Sequence, residues 1–571
     1  MFQRYFPIRD WASRYDRDTF TGDLIAAVIV TIMLIPQSLA YALLAGLPAE
    51  VGLYASIAPL LIYMVFGTSM TLAVGPVAVA SLMTVSAVGE LAAAGTPEYV
   101  GAAILLALIS GLMLVAMGVA RLGFLANFLS HPVISGFITA SAIIIAVGQL
   151  KNLFGVPVEG HTLVQQIHSL MVHIGEVNLW TLGIGVATIG FLVWARKRLS
   201  AVLVGFGLSG KLAGSLSKAA PVVAVIVSIL LVWALGLEQA GVAIVGDIPR
   251  GLPAPTLPKF DADLWQMLAL PALLIGVVGY VETISVAQTL AAKRRERIDP
   301  DQELIALGTA NVGSALSGGF PVTGGFSRSV VNFDAGARTP AAGAMTAVGI
   351  AAATLFLTPA LYLLPKATLG ATIIVSVVSL IDLDAIRRTW AYSTTDFLAM
   401  AGTILVTLGF GVELGLATGV LLSLMLFLNR TARPHVAIVG RVPGTEHFRN
   451  IKRHEVETTP GVLSIRVDES LYFPNARFLE DTINEAVAAD PCIRNVVLMC
   501  PAVNFIDASA LESLELISQR LDEAGLKLHL SEVKGPVMDR LKSTNFLEHL
   551  SGEVFLSQYK AEQTLSGNGT N

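Results

Sequence analysis

Apolar residues recur in long runs along most of the chain, and short polar or glycine-rich segments separate them. A helix needs about twenty apolar residues to span the hydrocarbon core of a bilayer. The pattern predicts about fourteen spans, several of them short: residues 22–45, 50–67, 72–90, 99–119, 128–150, 177–195, 219–236, 263–290, 302–317, 319–336, 340–358, 366–381, 394–411 and 412–429. After Arg430 polar and apolar positions mix. We therefore expect a short segment over 1–21, a polytopic helical membrane domain over 22–430 and a soluble domain over 431–571.

The composition agrees with a membrane protein. The 571 residues are 54% hydrophobic and only 14% charged, and the mean hydropathy is +0.69, values that a water-soluble enzyme of this size would not tolerate. The first twenty residues lack the apolar core of a removable signal peptide. A net charge of -5 gives no support to nucleic-acid binding.

Cofactor chemistry finds little support in the sequence. The two cysteines, Cys492 and Cys500, both lie in the terminal region, so no disulfide framework or metal site is expected. No glycine-rich loop of the kind that cradles phosphates is present, which argues against an ATP-driven engine. We expect no enzyme activity and no cofactor.

Basic residues predict the orientation. Cytoplasmic loops of membrane proteins carry an excess of lysine and arginine. If the amino terminus is cytoplasmic, nearly every second loop carries them: Arg121, Arg196, Lys197, Arg198, Lys211, Lys218, Lys293, Arg294, Arg295, Arg297, Arg338, Arg387, Arg388 and Arg430. Only the loop over 67–71 has no cation. The amino terminus and the soluble domain are therefore expected in the cytoplasm.

The stretch from Gly319 to Asn332 places glycine, proline, hydroxyls and a cation inside an apolar region. Small and β-favouring residues around Pro321 indicate a short extended segment, and the following residues open a helix whose first turn contains Arg328. A charge near the bilayer centre costs about 2.5 to 3.5 kcal/mol, and unpaired amides are tolerated there only where they line a cavity. The pattern predicts a half-helix whose amino terminus and arginine attract an anion.

A similar pattern opens the third predicted span, where residues 73–80 combine small side chains with Gly75 and Pro76. This is the third span of the first seven, and the 319–336 segment is the third of the second seven. Because seven is odd, the two run in opposite directions. Inverted repeats of this kind aim two interrupted helices at a shared site near the midplane. The alternative that Gly75 and Pro76 merely kink a helix stays open.

Several motifs carry a resemblance to a known family. They are IPQSLAYALLAGLP at 35–48, VGLY at 51–54, GTS at 67–69, SRS at 327–329 and AGARTP at 335–340. These motifs resemble the sulfate permease (SulP) family, whose animal members include prestin and pendrin. The resemblance implies a seven-plus-seven inverted repeat with two half-helices meeting at the midplane. Spans one to four and eight to eleven would move as a core, in an elevator-like manner, against gate spans that also hold a homodimer.

The resemblance also implies a binding site for an anion. Carried onto this sequence, it comprises Gln37 and Tyr41 on span one, the amides near Val77 on span three, and Ser327 and Arg328 on span ten. Gln37 and Tyr41 are four residues apart and share a helix face. The alternatives are an interhelical hydrogen bond for Gln37, an interfacial aromatic role for Tyr41 and a helix-end anchor for Arg328.

Glu282 is an acid within the apolar sequence of span eight, a region where relatives place a proton-coupling acid. The alternative is a structural carboxylate paired with a neighbour. Glu413 is interpreted as a solvated acid in the turn between spans thirteen and fourteen.

The terminal region predicts an alternating α/β domain. Strands are expected at 461–467, 495–499 and 526–531, and helices at 475–489, 508–524 and 535–545. The run VNFIDASAL at 503–511 resembles a STAS domain, in which a serine at the position of Ser509 can be phosphorylated. Ala508 and Ala510 depart from the usual motif, so Ser509 is either a regulatory phosphosite or a simple helix cap.

The leading interpretation is a secondary active anion transporter in a bacterial inner membrane, with proton-coupled symport of sulfate or a related oxyanion or dicarboxylate. Sodium is the less favoured coupling ion. The alternatives are a bicarbonate or chloride carrier, sodium-coupled or exchanging, and an anion channel or membrane sensor. Transport is favoured because paired half-helices close the midplane around an ion instead of lining a continuous pore.

Overall fold

The computed structural model describes residues 5–124, 130–158, 160, 162–207, 210, 213–214, 217, 219–258 and 261–567. The predicted loop cations Lys211 and Lys218 lie outside the described residues, as do the first two residues of the fifth predicted span and both chain ends. The chain divides into two compact units, Met1–Ser423 and Leu424–Asn571.

The described residues of the first unit form helices and two short strands. Its helices are α1 (Ile8–Ala12), α2 (Arg17–Leu44), α3 (Ala49–Tyr54), α4 (Ala58–Phe66), α5 (Ala78–Gly89), α6 (Pro97–Val119), α7 (His131–Gly148), α8 (Leu150–Phe154), α9 (Leu163–Val172), α10 (Leu179–Trp194), α11 (Ser200–Gly205), α12 (Ala220–Leu235), α13 (Ala262–Arg294), α14 (Pro300–Leu316), α15 (Phe326–Asp334), α16 (Ala341–Phe356), α17 (Lys366–Val378), α18 (Leu383–Tyr392) and α19 (Thr394–Phe410). The helix α20 (Val412–Ala432) follows and contains the division between the two units. Two 3₁₀ turns, Ile174–Glu176 and Thr358–Leu361, and a π-helical stretch, Ala195–Leu199, also occur among the described residues.

Several of the long helices begin where the sequence supplies caps. Asp16 accepts a hydrogen bond from the Thr19 amide at the start of α2, and Thr96 does the same for the Tyr99 amide at the start of α6. Asp299 caps α14, whose first residue is Pro300. These side chains satisfy amides that the first helical turn leaves unpaired, and a proline in the first turn has no amide to satisfy.

Each of the fourteen predicted spans contains a helix. Eight helices of the described residues are long and apolar enough to cross a membrane. Four shorter apolar helices, α5, α12, α16 and α19, accompany them. The polytopic helical class is therefore confirmed, whereas the count of fourteen stays a prediction.

The two glycine- and proline-rich segments are extended and meet. Strand β1 (Val74–Gly75) pairs with strand β2 (Thr323–Gly324) in antiparallel register, Val74 opposite Gly324 and Gly75 opposite Thr323. Each strand leads after a few residues into a short helix, α5 and α15 respectively. The predicted half-helices therefore exist, and the strand pair supplies the hydrogen bonds that a continuous helix would have made internally.

The second unit contains a six-stranded mixed sheet. Its strands are β3 (Val436–Arg441), β4 (Phe448–Asn450), β5 (Val462–Val467), β6 (Asn495–Met499), β7 (Lys527–Ser531) and β8 (Val554–Phe555), in the order β4-β3-β5-β6-β7-β8. The helices are α21 (Phe473–Ala489), α22 (Ala508–Glu523), α23 (Gly535–Lys542), α24 (Phe546–His549) and α25 (Gln558–Gly567).

Strands β5 to β8 are parallel, and β3 pairs antiparallel with both β4 and β5. The core includes Ile465, Val496 and Leu528, all without exposed surface.

Cys492 is exposed and Cys500 is buried, and both are free thiols. Burial raises the pKa of the Cys500 thiol to about 12, so this thiol stays protonated and inert.

The predicted α/β class of the terminal region is confirmed, with each predicted strand and helix present. The sequence reasoning missed strands β3, β4 and β8 and helices α24 and α25. Strand β3 begins shortly after α20 ends, and strands β4 and β8 have only three and two residues, so none of them gives a separate signal in the sequence pattern.

Candidate binding site

A cavity of 620 Å³ lies where the two half-helices begin. Every residue that the sequence assigned to the membrane site lines it: Gln37, Tyr41, Val77, Glu282, Ser327 and Arg328. Four elements distant in the sequence, α2, α5, α13 and α15, bring these residues together. The geometry groups the predicted residues, and their role in binding stays a prediction.

Two helix amino termini face this cavity. Val77 is the residue before α5, and Gly325 is the residue before α15, and neither helix has a side-chain cap there. The first amides of both helices belong to residues that line the cavity. Each helix terminus carries about half a positive charge, so the cavity offers amide donors and positive potential to an anion.

Arg328 connects the two extended segments. Its side chain is only 2% exposed, and its Nη1 donates to the Pro76 carbonyl at 2.6 Å while its Nη2 donates to the Thr323 carbonyl at 3.2 Å. Burial in the first turn of α15 contradicts the alternative of an exposed helix-end anchor. The guanidinium therefore supplies a charge to the cavity and also fixes the relative position of the two half-helices.

Two glycines make room for this guanidinium. A Cβ atom at Gly75 would lie 3.1 Å from Nη1 of Arg328, and one at Gly325 would lie 2.8 Å from its Nε. Contacts below 3.0 Å force a neighbour to move, so Gly325 has to remain without a side chain if Arg328 is to keep this position.

Glu282 and Tyr41 share the electrostatic environment of Arg328. The Tyr41 phenol, the Glu282 carboxyl group and the Arg328 guanidinium line the same cavity, within electrostatic range of one another. Glu282 also lies near the hydroxyl of Thr323, the residue whose carbonyl holds Arg328. The only acid among the six predicted residues thus lies beside the only cation.

Polar residues that the sequence reasoning did not select hold the extended segments. Asn311 accepts from the Val322 amide and donates to the Val322 carbonyl, both at 2.9 Å. Thr283 accepts from the Gly324 amide at 2.9 Å, and Ser329 accepts from the Ala73 amide at 3.0 Å. Polar side chains inside apolar spans were the available signal, because such residues usually bridge helices.

Two fully buried carboxylates hold loops at the predicted cytoplasmic ends of the helices. Glu303 on α14 accepts hydrogen bonds from the Tyr63 hydroxyl, from the amide and hydroxyl of Thr68 and from the Ser69 amide. Thr68 and Ser69 belong to the loop over 67–71, the predicted cytoplasmic loop that has no lysine or arginine. The sequence reasoning missed Glu303 because an acid in the first turn of a helix is ordinarily a solvated capping residue.

Asp23 on α2 likewise holds the loop after α15 by accepting hydrogen bonds from it. Its carboxylate accepts from the amides of Arg338 and Thr339, at 2.6 and 3.1 Å, and from the Thr339 and Tyr15 hydroxyls. The AGARTP motif therefore contacts span one through an acid that the sequence reasoning did not select.

Glu413 is not a solvated turn acid. The turn between α19 and α20 consists of Gly411 alone, whose φ of 101° favours glycine. Glu413 lies in the first turn of α20, half-buried, and its Oε1 is buried without a hydrogen-bond partner among the described residues. The interpretation was wrong because the turn is shorter than the polar pattern indicated.

The sequence was compared with models of known protein families. A model of the sulfate permease family matches residues 20–403. The chain belongs to the sulfate permease family. A STAS domain model matches residues 453–561 of the same permease.

Named relatives of this chain include plant and bacterial proteins. The chloroplastic sulfate transporter 4.1 of Arabidopsis thaliana is 34% identical over 562 residues, which cover 96% of this chain and 81% of that protein. A probable sulfate transporter of Mycobacterium tuberculosis (strain CDC 1551 / Oshkosh) is 31% identical over 556 residues, which cover 96% of each chain.

Solved structures share the fold of this permease. SLC26A9 superimposes with a TM-score of 0.91 at 24% identity, over 99% of this chain and 93% of that one. The transmembrane domain of the cyanobacterial bicarbonate transporter BicA gives a TM-score of 0.60 at 24% identity, over 71% of this chain and 98% of that one.

Ser509 belongs to the part of the chain that the STAS domain model matches. It is exposed in the first turn of α22. Asp507, not Ser509, caps this helix by accepting from the Ala510 amide at 2.8 Å. The interpretation of Ser509 as a helix cap is therefore wrong, and phosphorylation of Ser509 stays a prediction.

Proposed function

We propose that this permease is a secondary active anion transporter that couples the uptake of sulfate, or of a related divalent oxyanion or dicarboxylate, to a proton. The observation that carries the proposal is the cavity in which two helix amino termini, Arg328 and Glu282 converge. Relatives 31% and 34% identical over nearly the whole chain are named sulfate transporters, which supports this substrate class.

Charge counting motivates the coupling. The two helix termini contribute about half a positive charge each, and Arg328 contributes one. An ionised Glu282 reduces the total of about two to about one. A divalent anion is then only half compensated in a medium of low dielectric, whereas a protonated Glu282 restores the balance. Sulfate and a proton therefore bind together in this proposal.

A monovalent anion reverses this preference. Bicarbonate or chloride is compensated while Glu282 stays ionised, and needs no accompanying proton. The carrier of a monovalent anion is therefore the alternative function, and dependence on a pH gradient separates the two.

The proposal also includes the movement and the setting. Spans one to four and eight to eleven would carry the anion by an elevator-like displacement against the other spans, in a homodimer. The basic loops support an inner-membrane orientation with the amino terminus and the STAS domain in the cytoplasm.

Uptake of labelled sulfate, bicarbonate and succinate into proteoliposomes, with and without an inwardly directed proton gradient, tests the function. We expect the gradient to drive accumulation of sulfate or succinate. We expect Glu282→Gln, which mimics the protonated acid, to bind and exchange the anion but to lose gradient-driven accumulation. The exposed acid Glu238 provides the matched control, Glu238→Gln.

Two results would contradict the proposal. Wild-type accumulation by Glu282→Gln would show that coupling does not depend on this acid. A wild-type chain that transports none of the three anions under either condition would rule out the proposed transport.

A further inference from the structure

A second arginine lines the cavity that contains Arg328. Arg196 lies on the π-helical stretch between α10 and α11, and its side chain is exposed. Its Nη1 lies 3.4 Å from the carbonyl oxygen of Val375 on α17. From the sequence, Arg196 was only one of five basic residues in a predicted cytoplasmic loop, with Lys197, Arg198, Lys211 and Lys218.

The backbone places Arg196 differently from its neighbours. Leu192 and Arg196, four residues apart, both line the cavity, and Ala195 beside them has no exposed surface. Lys197 and Arg198 are exposed but do not belong to the described lining of this cavity. A π-helical turn is rare and occurs often at functional sites, and here it contains the one cation of this basic cluster that lines the cavity.

The wall of the cavity that contains Arg196 consists of lining residues within 192–221 and 372–380. The hydroxyl groups of this wall already donate their protons to the backbone. Four hydroxyl side chains line it, and each donates to a backbone carbonyl: Ser217 to Gly214, Thr372 to Leu369, Ser376 to Thr372 and Ser379 to Ser376. A hydroxyl that donates in this way offers an anion only lone pairs. A guanidinium has five N–H donors, and among the described residues Arg196 uses one of them, at a long distance. Arg196 is therefore the side chain on this wall equipped to bind an anion.

Position along the helices separates the two arginines. Arg328 lies in the first turn of a half-helix and is buried, whereas Arg196 follows the last turn of α10 and is exposed. Ser379 and Leu380, which also line the cavity, directly follow the end of α17. The cavity thus runs from mid-helix residues such as Gln37 to the helix ends where Arg196 lies.

We propose that Arg196 forms an outer anion-binding position at the mouth of the cavity, through which the anion passes between the cytoplasm and the position beside Arg328. This inference rests on the proposed function and adds a binding residue to the same route. Because Arg196 is exposed, salt screens its charge over about 8 Å at physiological ionic strength. Arg196 therefore attracts and holds the anion at the mouth, and its contribution to binding depends on ionic strength.

Four variants of the full-length permease test the proposal: Arg196→Gln, Arg196→Lys, Lys197→Gln and Arg198→Gln. The two last variants remove one positive charge from the same stretch without changing the described cavity lining. The measurement is the dissociation constant of sulfate for the purified protein at low and at high ionic strength, with the thermal unfolding midpoint of each anion-free variant as the folding control.

We expect Arg196→Gln to raise the sulfate dissociation constant about threefold to tenfold at low ionic strength and less at high ionic strength. Arg196→Lys keeps the charge and should recover most of the affinity. Lys197→Gln and Arg198→Gln should stay within about twofold of the wild-type protein.

The result that overturns the inference is equal behaviour of Arg196→Gln, Lys197→Gln and Arg198→Gln, since Arg196 would then act only as part of a cytoplasmic basic cluster. That result leaves the proposed function intact. A wild-type protein that binds neither sulfate nor succinate nor bicarbonate would overturn the function and this inference together. If Arg196→Gln unfolds, Arg196→Lys is compared with Lys197→Gln and Arg198→Gln instead. A position that binds the anion through the planar guanidinium loses some sulfate affinity when lysine replaces arginine, whereas the two controls do not.

Discussion

Arg328 shows how one side chain serves both structure and charge. Its two terminal nitrogens donate to the carbonyls of Pro76 and Thr323, residues that belong to opposite halves of the chain. The planar fork of a guanidinium can hold two acceptors at once, which an ammonium group cannot do in the same geometry. The positive charge at the site is consequently fixed in place by the strand pair that it helps to hold.

Replacement of Arg328 separates the two contributions. We expect Arg328→Ala to weaken anion binding roughly tenfold to a hundredfold, since loss of a charge-assisted contact costs about 1.5 to 3 kcal/mol. Arg328→Lys keeps the charge and should bind with intermediate affinity. Both variants should still insert into the membrane. Equilibrium binding of sulfate measures the effect, and an unchanged dissociation constant for Arg328→Ala would place the site elsewhere.

The sequence identified the lining residues but not their supports. Gln37, Tyr41 and Arg328 belong to motifs or to a helix face that the linear pattern displays. Arg328 donates to backbone carbonyls, and one of them, that of Pro76, lies more than 250 positions away in the sequence. A pattern of side chains carries no information about such acceptors. Asp23 and Glu303 were missed for a related reason. Each has the sequence pattern of an acid in the first turn of a helix, and only the folded chain brings a distant loop into hydrogen-bond contact with it.

Helix pairs in the first unit pack through glycine. A Cβ atom at Gly111 on α6 would lie 2.7 Å from the carbonyl oxygen of Gly308 on α14, and a Cβ atom at Gly308 would lie 2.7 Å from the carbonyl oxygen of Gly111. The backbones therefore touch at this crossing. Small residues at helix crossings allow such close approach within membranes, where van der Waals packing drives association.

A side chain at this crossing should destabilise the helix pair. We expect Gly111→Val to lower stability by about 1 to 3 kcal/mol, the usual cost of inserting groups into a packed interior. Gly101→Val provides a control on the same helix, because a Cβ atom at Gly101 meets no atom within 4 Å. The thermal unfolding midpoint of each purified variant measures the difference. Equal midpoints for Gly111→Val and Gly101→Val would show that the two helices separate without cost.

Element types followed from the sequence more readily than element lengths. The apolar run over 319–336 is long enough to suggest a complete span, but α15 covers only Phe326–Asp334. Glycine and proline in its first half favour extended backbone, and the pairing of β1 with β2 makes that backbone stable. Hydrogen bonds between distant strands decide such boundaries. The same holds for β3, whose pairing with β4 and β5 no local pattern announces.

The whole molecule consists of two units with different chemistry. The division falls between Ser423 and Leu424, inside α20. The STAS family match begins at residue 453, yet strands β3 and β4 precede it and β3 pairs with β5. The structural unit is therefore larger than the matched domain, and the boundary at residue 431 stays a prediction.

Removal of the terminal unit tests this division of labour. A chain that ends after Arg433 keeps α20 complete, since that helix ends at Ala432, and it removes the whole sheet. Every residue proposed to bind the anion or the proton precedes this point. We therefore expect the shortened chain to insert, to fold and to bind sulfate with a dissociation constant within about threefold of the wild-type value, while assembly or regulation changes.

Sulfate binding to the purified shortened and full-length proteins in the same detergent measures this, and a thermal unfolding transition in the shortened protein is the folding control. A shortened protein that unfolds cooperatively but binds no sulfate would show that the terminal unit contributes to the site itself, and the cavity around Arg328 would then be insufficient for binding.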